Sequence, residues 1–144
     1  MKIYIWPILA LLLLSACQSQ PKAVTILDGG QVISLSTTKT VPADILAEAN
    51  ITLGPNDRLL YLGSFTALDS AISDNASITL TVRRAVTLTV VVTDGQQSIQ
   101  TSAQTVGQAL TEAGFTLYAT DRLEPPAEAP ISDPMTVRYQ PGRE

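Results

Sequence analysis

Four sets of residues carry chemistry worth weighing first. Asp57-Arg58 and Asp121-Arg122 are two acid-base pairs in identical order. Arg83-Arg84 is a pair of permanent cations whose planar forks suit phosphate or carboxylate. Glu124 and Glu128 are two carboxylates four residues apart, and Cys17 is the single thiol. The paired Asp-Arg steps admit two readings. One is a repeated polar contact for a glycan or peptide. The other is a turn-forming aspartate with an arginine laid over apolar surface. The second is favoured, because repetition within a fold is as well explained by folding. Arg83-Arg84 likewise either touches wall phosphates or carboxylates, or solvates the strand joining two domains; the latter is favoured. Asp57, Arg58, Arg83, Arg84, Asp121 and Arg122 therefore stand as candidate ligand contacts with a structural alternative.

Glu124 and Glu128 do not make a glycosidase pair. Such pairs need an enclosed site and one carboxyl of raised pKa. The surrounding Leu123–Pro134 segment, rich in proline and glutamate, is expected to be exposed and extended. Serines and threonines are plentiful, but no histidine is present to activate one as a nucleophile. Without histidine the chain also lacks the commonest metal ligand, and one cysteine makes neither a disulfide nor a CxxC site. No catalytic residue, metal or cofactor is expected.

The elements that hold these residues are organised around Ile78 to Gly95. Ile78, Leu80, Val82, Val86, Leu88, Val90 and Val92 alternate with Thr79, Thr81, Arg83, Thr87, Thr89 and Thr93. This is the period-2 pattern of half-buried strand in β-branched residues. At about 3.3 Å per residue the run would span roughly 50 Å, longer than one small domain can bury. Two strands in series resolve this, with Arg83-Arg84-Ala85 as the join. Between Ile78 and Thr93, Arg84 is the one even position that is not apolar.

A repeat follows from that reading, and it is present. Leu46–Leu59 (LAEANITLGPNDRL) and Leu110–Leu123 (LTEAGFTLYATDRL) are identical at eight of 14 positions. Asp28-Gly29 corresponds to Asp94-Gly95, Thr40-Val41 to Thr105-Val106, and Ile72-Ser73-Asp74 to Ile131-Ser132-Asp133. Each copy is expected to begin with a hairpin: Ala23–Leu27 and Val32–Thr37, then Val86–Thr93 and Gln97–Thr101. A helix follows, capped by Thr40 or Thr105 and ended by Asn50 or Gly114. Further along are a possible strand at Leu59–Leu62, a loop from Gly63 to Asp74 with Ile72 tucked in, and closing strands Ile78–Val82 and Met135–Tyr139. The ingredients predict an α+β protein of two tandem β-grasp domains, each a mixed sheet with one helix.

The 144 residues carry a net charge of −4, which grows more negative if Lys2 leaves with a leader. Such a chain has no electrostatic footprint for nucleic acid and no polybasic face for an anionic membrane. Residues 1–16 read as an export signal: Lys2, an apolar Ile3–Leu14 run, then Leu14-Ser15-Ala16-Cys17. The last four residues resemble the bacterial lipobox, which implies cleavage before Cys17 and its lipidation. An ordinary leader cut near Ala16 is the other reading. Gln18–Lys22 is a polar tether. The expected division is leader 1–16, lipidated Cys17 and tether 17–22, first repeat 23–84, second repeat 85–141 and tail 142–144. Asn50-Ile51-Thr52 and Asn75-Ala76-Ser77 match the glycosylation pattern, which bacteria rarely use.

The D-G hairpin, T-V-G-Q-A-L-T-E-A-G, D-R-L and I-S-D-P-M-T-V together resemble a ubiquitin-like repeat, long a domain of unknown function. It occurs in tandem in resuscitation-promoting factors and YabE-like cell-wall proteins. The resemblance covers nearly all of 23–140 and is weakest at Pro42-Ala43-Asp44. It implies β-grasp domains standing in line in the cell envelope. In that family they precede a G-five domain and a peptidoglycan-cleaving domain, neither of which is recognised here, so no catalytic residue carries over.

The expected function is a non-catalytic envelope lipoprotein. It would be exported and held to the outer face of a membrane by lipid, as a spacer or module binding peptidoglycan or a cell-wall enzyme. The alternative is the accessory part of a peptidoglycan hydrolase whose catalytic domain is absent or truncated. By analogy with Arg83-Arg84-Ala85, Pro141-Gly142-Arg143-Glu144 is where a third module would begin.

Overall fold

A computed structural model describes residues 20–73 and 77–142. The leader, Cys17, Asp74 to Ala76 and Arg143-Glu144 lie outside the described residues. The alternating sequence becomes strand wherever one side can reach a core. In the first repeat β1 (Lys22–Asp28) and β2 (Gln31–Thr37) form the opening hairpin. Helix α1 (Pro42–Glu48) follows, then β3 (Arg58–Tyr61), β4 (Ser64–Phe65) and β5 (Ser77–Arg83). The second repeat runs β6 (Val86–Val92), β7 (Gly95–Thr101), α2 (Val106–Glu112), β8 (Arg122–Glu124) and β9 (Met135–Gln140).

The sheets have orders β2-β1-β5-β3-β4 and β7-β6-β9-β8. In each, the first and last strands of the repeat are central neighbours and run parallel, while every other pairing is antiparallel. With one helix per sheet, this is the expected pair of ubiquitin-like β-grasp domains.

The cores follow the alternation. Val24 and Ile26 of β1 meet Ile78, Leu80 and Val82 of β5, with Ile45 and Leu46 of α1, Leu59 and Ile72 closing over them. In the second repeat Leu88, Val90 and Val137 meet Ala103, Val106, Ala109 and Leu110. Each fully buried aliphatic side chain contributes about 1.5–3 kcal/mol to holding its repeat together. Ala109 stands where the first repeat has Ile45, and Phe115, larger than its counterpart Ile51, packs half-buried against the second core beside Leu117 and Tyr139.

Both helices end alike. Asn50 and Gly114 take left-handed φ values of 57° and 92°. The next N–H, of Ile51 or Phe115, returns to the carbonyl of Leu46 or Leu110 at 2.9 Å. Both helices also have a loop carbonyl on their N-terminal N–H groups: Leu68 O for Ala43, and Ala129 O and Ala127 O for Val106 and Gly107.

Several details correct the sequence reading. The α1 cap is Val41, not Thr40; its isopropyl side chain has no atom to cap with, and Pro42 at the first helical position pre-sets the turn. Thr105 does cap α2, accepting from Gln108 N–H. The Gly63–Asp74 segment is not all loop, since β4 pairs with β3 through a Leu62-Gly63 turn. The Leu123–Pro134 segment is not simply exposed: it straps across the start of α2, and Ala129 and Ile131 pack on the core. Gly107 permits this approach, for a Cβ there would stand 3.0 Å from the Ala127 side chain.

Candidate functional site: the joint between the repeats

The strand connection Arg83-Arg84-Ala85 is where the singled-out residues converge. Its geometry begins with β3 and β5, whose register sets Arg58 opposite Arg83 at the end of the first sheet. Asp57, just before β3, closes its own turn by accepting Gly54 N–H at 2.8 Å on Oδ2. The same oxygen accepts Arg84 Nη1 at 2.7 Å, and Oδ1 accepts Ala85 N–H at 2.7 Å. Arg84 also forks onto Asp28, with bonds of 2.8 and 2.6 Å, and donates to Thr52 O. Asp57 thus ties the turn, the connecting arginine and the first backbone N–H of the next repeat to one carboxylate.

Two contacts cross the joint. Arg83 donates from Nε to Ser102 O at 2.8 Å and from Nη2 to Ala103 O at 2.9 Å. Arg58 makes a parallel fork onto both Glu112 oxygens at the end of α2, each bond 2.9 Å. The Arg58 guanidinium lies 4.8 Å from the centre of the Phe65 ring, a cation–π contact. Gln108 supports Glu112 from one turn earlier in the helix.

The electrostatics follow the contacts. Burial pushes the Asp57 carboxyl up, but the Ala85 and Gly54 N–H groups and Arg84 together outweigh it and hold it below the usual carboxylate range. The hydrogen bonds from Arg58 likewise lower Glu112, against its partial burial. Arg84 is held still more firmly protonated by its bonds to Asp28 and Asp57.

The far end of the second repeat carries the same clasp. Asp121 accepts Gly142 N–H at 2.7 Å on Oδ1 and Tyr118 N–H at 2.8 Å on Oδ2, as Asp57 does for Ala85 and Gly54. Tyr139 takes the third place, donating its hydroxyl to Asp121 Oδ2 at 3.1 Å, with its ring edge-on to Phe115. Bonds from Gly142, Tyr118 and Tyr139 lower the Asp121 carboxyl. Burial, then Asp121, raises the Tyr139 phenol. Arg122 sits in register with Gln140 as Arg58 does with Arg83, and is exposed.

The structure therefore brings Asp57, Arg58, Arg83 and Arg84 together and sets Asp121 and Arg122 apart at the other end. The first four are engaged with the protein itself: Asp57 closes its turn, Arg58 lies beside Phe65 and Glu112, and Arg83 and Arg84 bond carbonyls and carboxylates. Glu112, Asp28 and the Ser102 and Ala103 carbonyls were not singled out from sequence. The signal for Glu112 is its match to Glu48 inside the aligned repeat, but nothing linear connects it with Arg58. Beside the fork, Asn56, Gln97 and Gln100 line an open polar groove of about 410 Å³. Its amides can exchange hydrogen bonds with hydroxyls or peptide groups. Glu124 ends β8 and Glu128 lies on the strap; both side chains are exposed, Glu124 lying 3.9 Å from Arg138, and they frame no enclosed site. No cluster of metal-ligating side chains occurs among the described residues.

Two β-grasp repeats, each ending in an aspartate clasp and joined by forked arginines, define a tandem repeat module. The chain belongs to the G5-linked ubiquitin-like domain family, which matches it twice, over residues 24–60 and 86–128. Each match starts in the first strand of a repeat and runs to its third strand or just beyond. No curated protein matches the chain. Fold and family fit a non-catalytic repeat module.

Proposed function

We propose that the chain is an exported envelope lipoprotein, held by lipid on Cys17, whose repeats act as a stiff spacer or wall-binding module. The observation that carries this reading is the joint. Arg83, Arg58 and the Asp57 clasp leave the link between repeats with little freedom, which suits a part that must hold distance and direction. The polar groove beside the joint offers a low-affinity contact for peptidoglycan or a partner enzyme. Co-sedimentation of residues 18–144 with isolated sacculi, at low and moderate salt, tests the binding half. Saturable pelleting that survives moderate salt is expected for a wall-binding module, and no pelleting leaves only the spacer. Small-angle scattering tests the stiffness: freely flexing lobes would overturn it.

The second reading is an accessory part of a peptidoglycan hydrolase of the resuscitation-promoting-factor type. It draws on the Asp121 clasp, which holds Gly142 as Asp57 holds the first residue of the second repeat. The gene downstream of codon 144 decides it, by encoding hydrolase-like sequence or not.

A further inference from the structure

Leu62 is the most exposed large apolar residue among those described, at 81%. It occupies the first central position of a two-residue turn, between Tyr61 and Ser64, which pair across β3 and β4. Its φ is 53°, followed by Gly63 at 79°. Turns of this hand favour asparagine or aspartate ahead of the glycine. A leucine there accepts backbone strain and presents its whole side chain to water. Val32, exposed at 66%, sits in ordinary strand beside Leu27 and carries no such double penalty.

The register tells where this tip points. β3 runs from Arg58, opposite Arg83 at the joint, to Tyr61, opposite Leu80, and Leu80 is opposite Ile26. The turn that follows thus heads away from the second repeat, toward the end where β1 begins at Lys22. About three strand residues, roughly 10 Å, separate the level of the turn from Lys22. The five residues Cys17 to Pro21 reach at most about 17 Å. A chain held by lipid at Cys17 therefore carries the Leu62 tip within reach of the bilayer surface. The second repeat has no counterpart: where the first has Leu62-Gly63, it continues from β8 into the Pro125-Pro126 strap over α2.

We infer that the Leu62-Gly63 turn is a second membrane contact, an apolar tip that enters the headgroup–acyl boundary and sets the angle at which the first repeat stands. The ligand is the lipid surface itself. An acidic chain makes this contact through apolar burial, so zwitterionic lipid suffices. The inference rests on the reading of Cys17 as the anchor, and the test separates the two. Cys17 is the only cysteine and Trp6, in the leader, the only tryptophan. The chain from Cys17 can therefore be attached to vesicles by a lipid maleimide, however the cell processes it, with a substituted tryptophan as the sole indole.

Leu62→Trp is compared with Tyr118→Trp, an exposed position in the second repeat, on phosphatidylcholine vesicles with brominated acyl chains. The expected result is blue-shifted, strongly quenched emission for Leu62→Trp, and water-like, unquenched emission for Tyr118→Trp. Unquenched emission at both positions overturns the inference. Equal quenching at both overturns it too, since the chain then lies flat. Should Leu62→Trp fail to fold, amide exchange in the unsubstituted anchored chain decides: slowing confined to 61–64 supports the contact, and no slowing removes it. Failure of the anchor reading shows separately, as an exported protein whose mass carries no acyl groups on Cys17.

Discussion

Arg58 and Glu112 meet across the joint as a two-bond fork, each bond 2.9 Å, from positions 54 residues apart. Both side chains remain about one-third exposed, at 36% and 35%. Water therefore screens the pair, and it contributes about 0.2–1 kcal/mol rather than the larger worth of a buried one. Its geometric effect is greater than its energetic one, because it joins the end of one sheet to the end of the other repeat's helix.

Glu112→Gln is accordingly expected to leave both repeats folded, with a loss of less than about 1 kcal/mol. The common alignment of the two repeats should loosen, with Arg83 and the Asp57 clasp still in place. Residual dipolar couplings check this: one alignment tensor for the native chain, two diverging ones for the variant. A single shared tensor in the variant would show that Arg83 alone sets the orientation.

Asp57→Ala is expected to be the most damaging single change at the joint. The carboxylate is only 11% exposed and serves three partners. Removing it strands the Ala85 and Gly54 N–H groups and takes away one of the four Arg84 bonds, at a cost of about 2–4 kcal/mol. Urea unfolding measures the loss. Asp121→Ala, at the far end, should lower the unfolding midpoint less, because no arginine depends on it.

The joint should weaken in acid and nowhere near neutrality. Asp57 and Glu112 have ordinary values of 3.8 and 4.5, and both are lower in the folded chain. Their stabilisation is complete above those ordinary values and disappears as pH falls through the depressed folded ones. With no histidine, no side chain of ordinary pKa titrates between about pH 5 and 8. Urea midpoints should be flat over that range and fall below about pH 4. Glu112→Gln should shrink the acid slope.

Leu62→Asn should raise stability, since asparagine tolerates the left-handed φ that leucine resists. A gain of about 1 kcal/mol is expected, read as a higher unfolding midpoint. A loss would mean that the leucine side chain supports the hairpin.

The strands of the long Ile78–Thr93 run were legible because alternation needs only a core on one side, and its break at Arg84 marked the join. Helix ends were legible where one residue type does the work, as at Asn50, Gly114 and Thr105. Strand β4 was not: two residues show no period, and a leucine ahead of Gly63 hides the turn. Nor was Val41 as a cap, because Thr40 is the better capping residue and Pro42 made one unnecessary. Arg83 and Arg58 were visible as charges, but the Ser102 carbonyl and Glu112 become their partners only when the second repeat docks. Contacts between repeats have no linear signature, so the candidate site could be named in part and not assembled.

The parallel pairing of β1 with β5, and of β6 with β9, has a mechanical consequence. The strand that enters each repeat and the strand that leaves it are bonded neighbours running the same way. Tension along the chain therefore tries to slide one past the other, straining their rungs together instead of opening them one by one. A tether built this way resists stretching at every repeat, and yields only when a whole ladder shears at once.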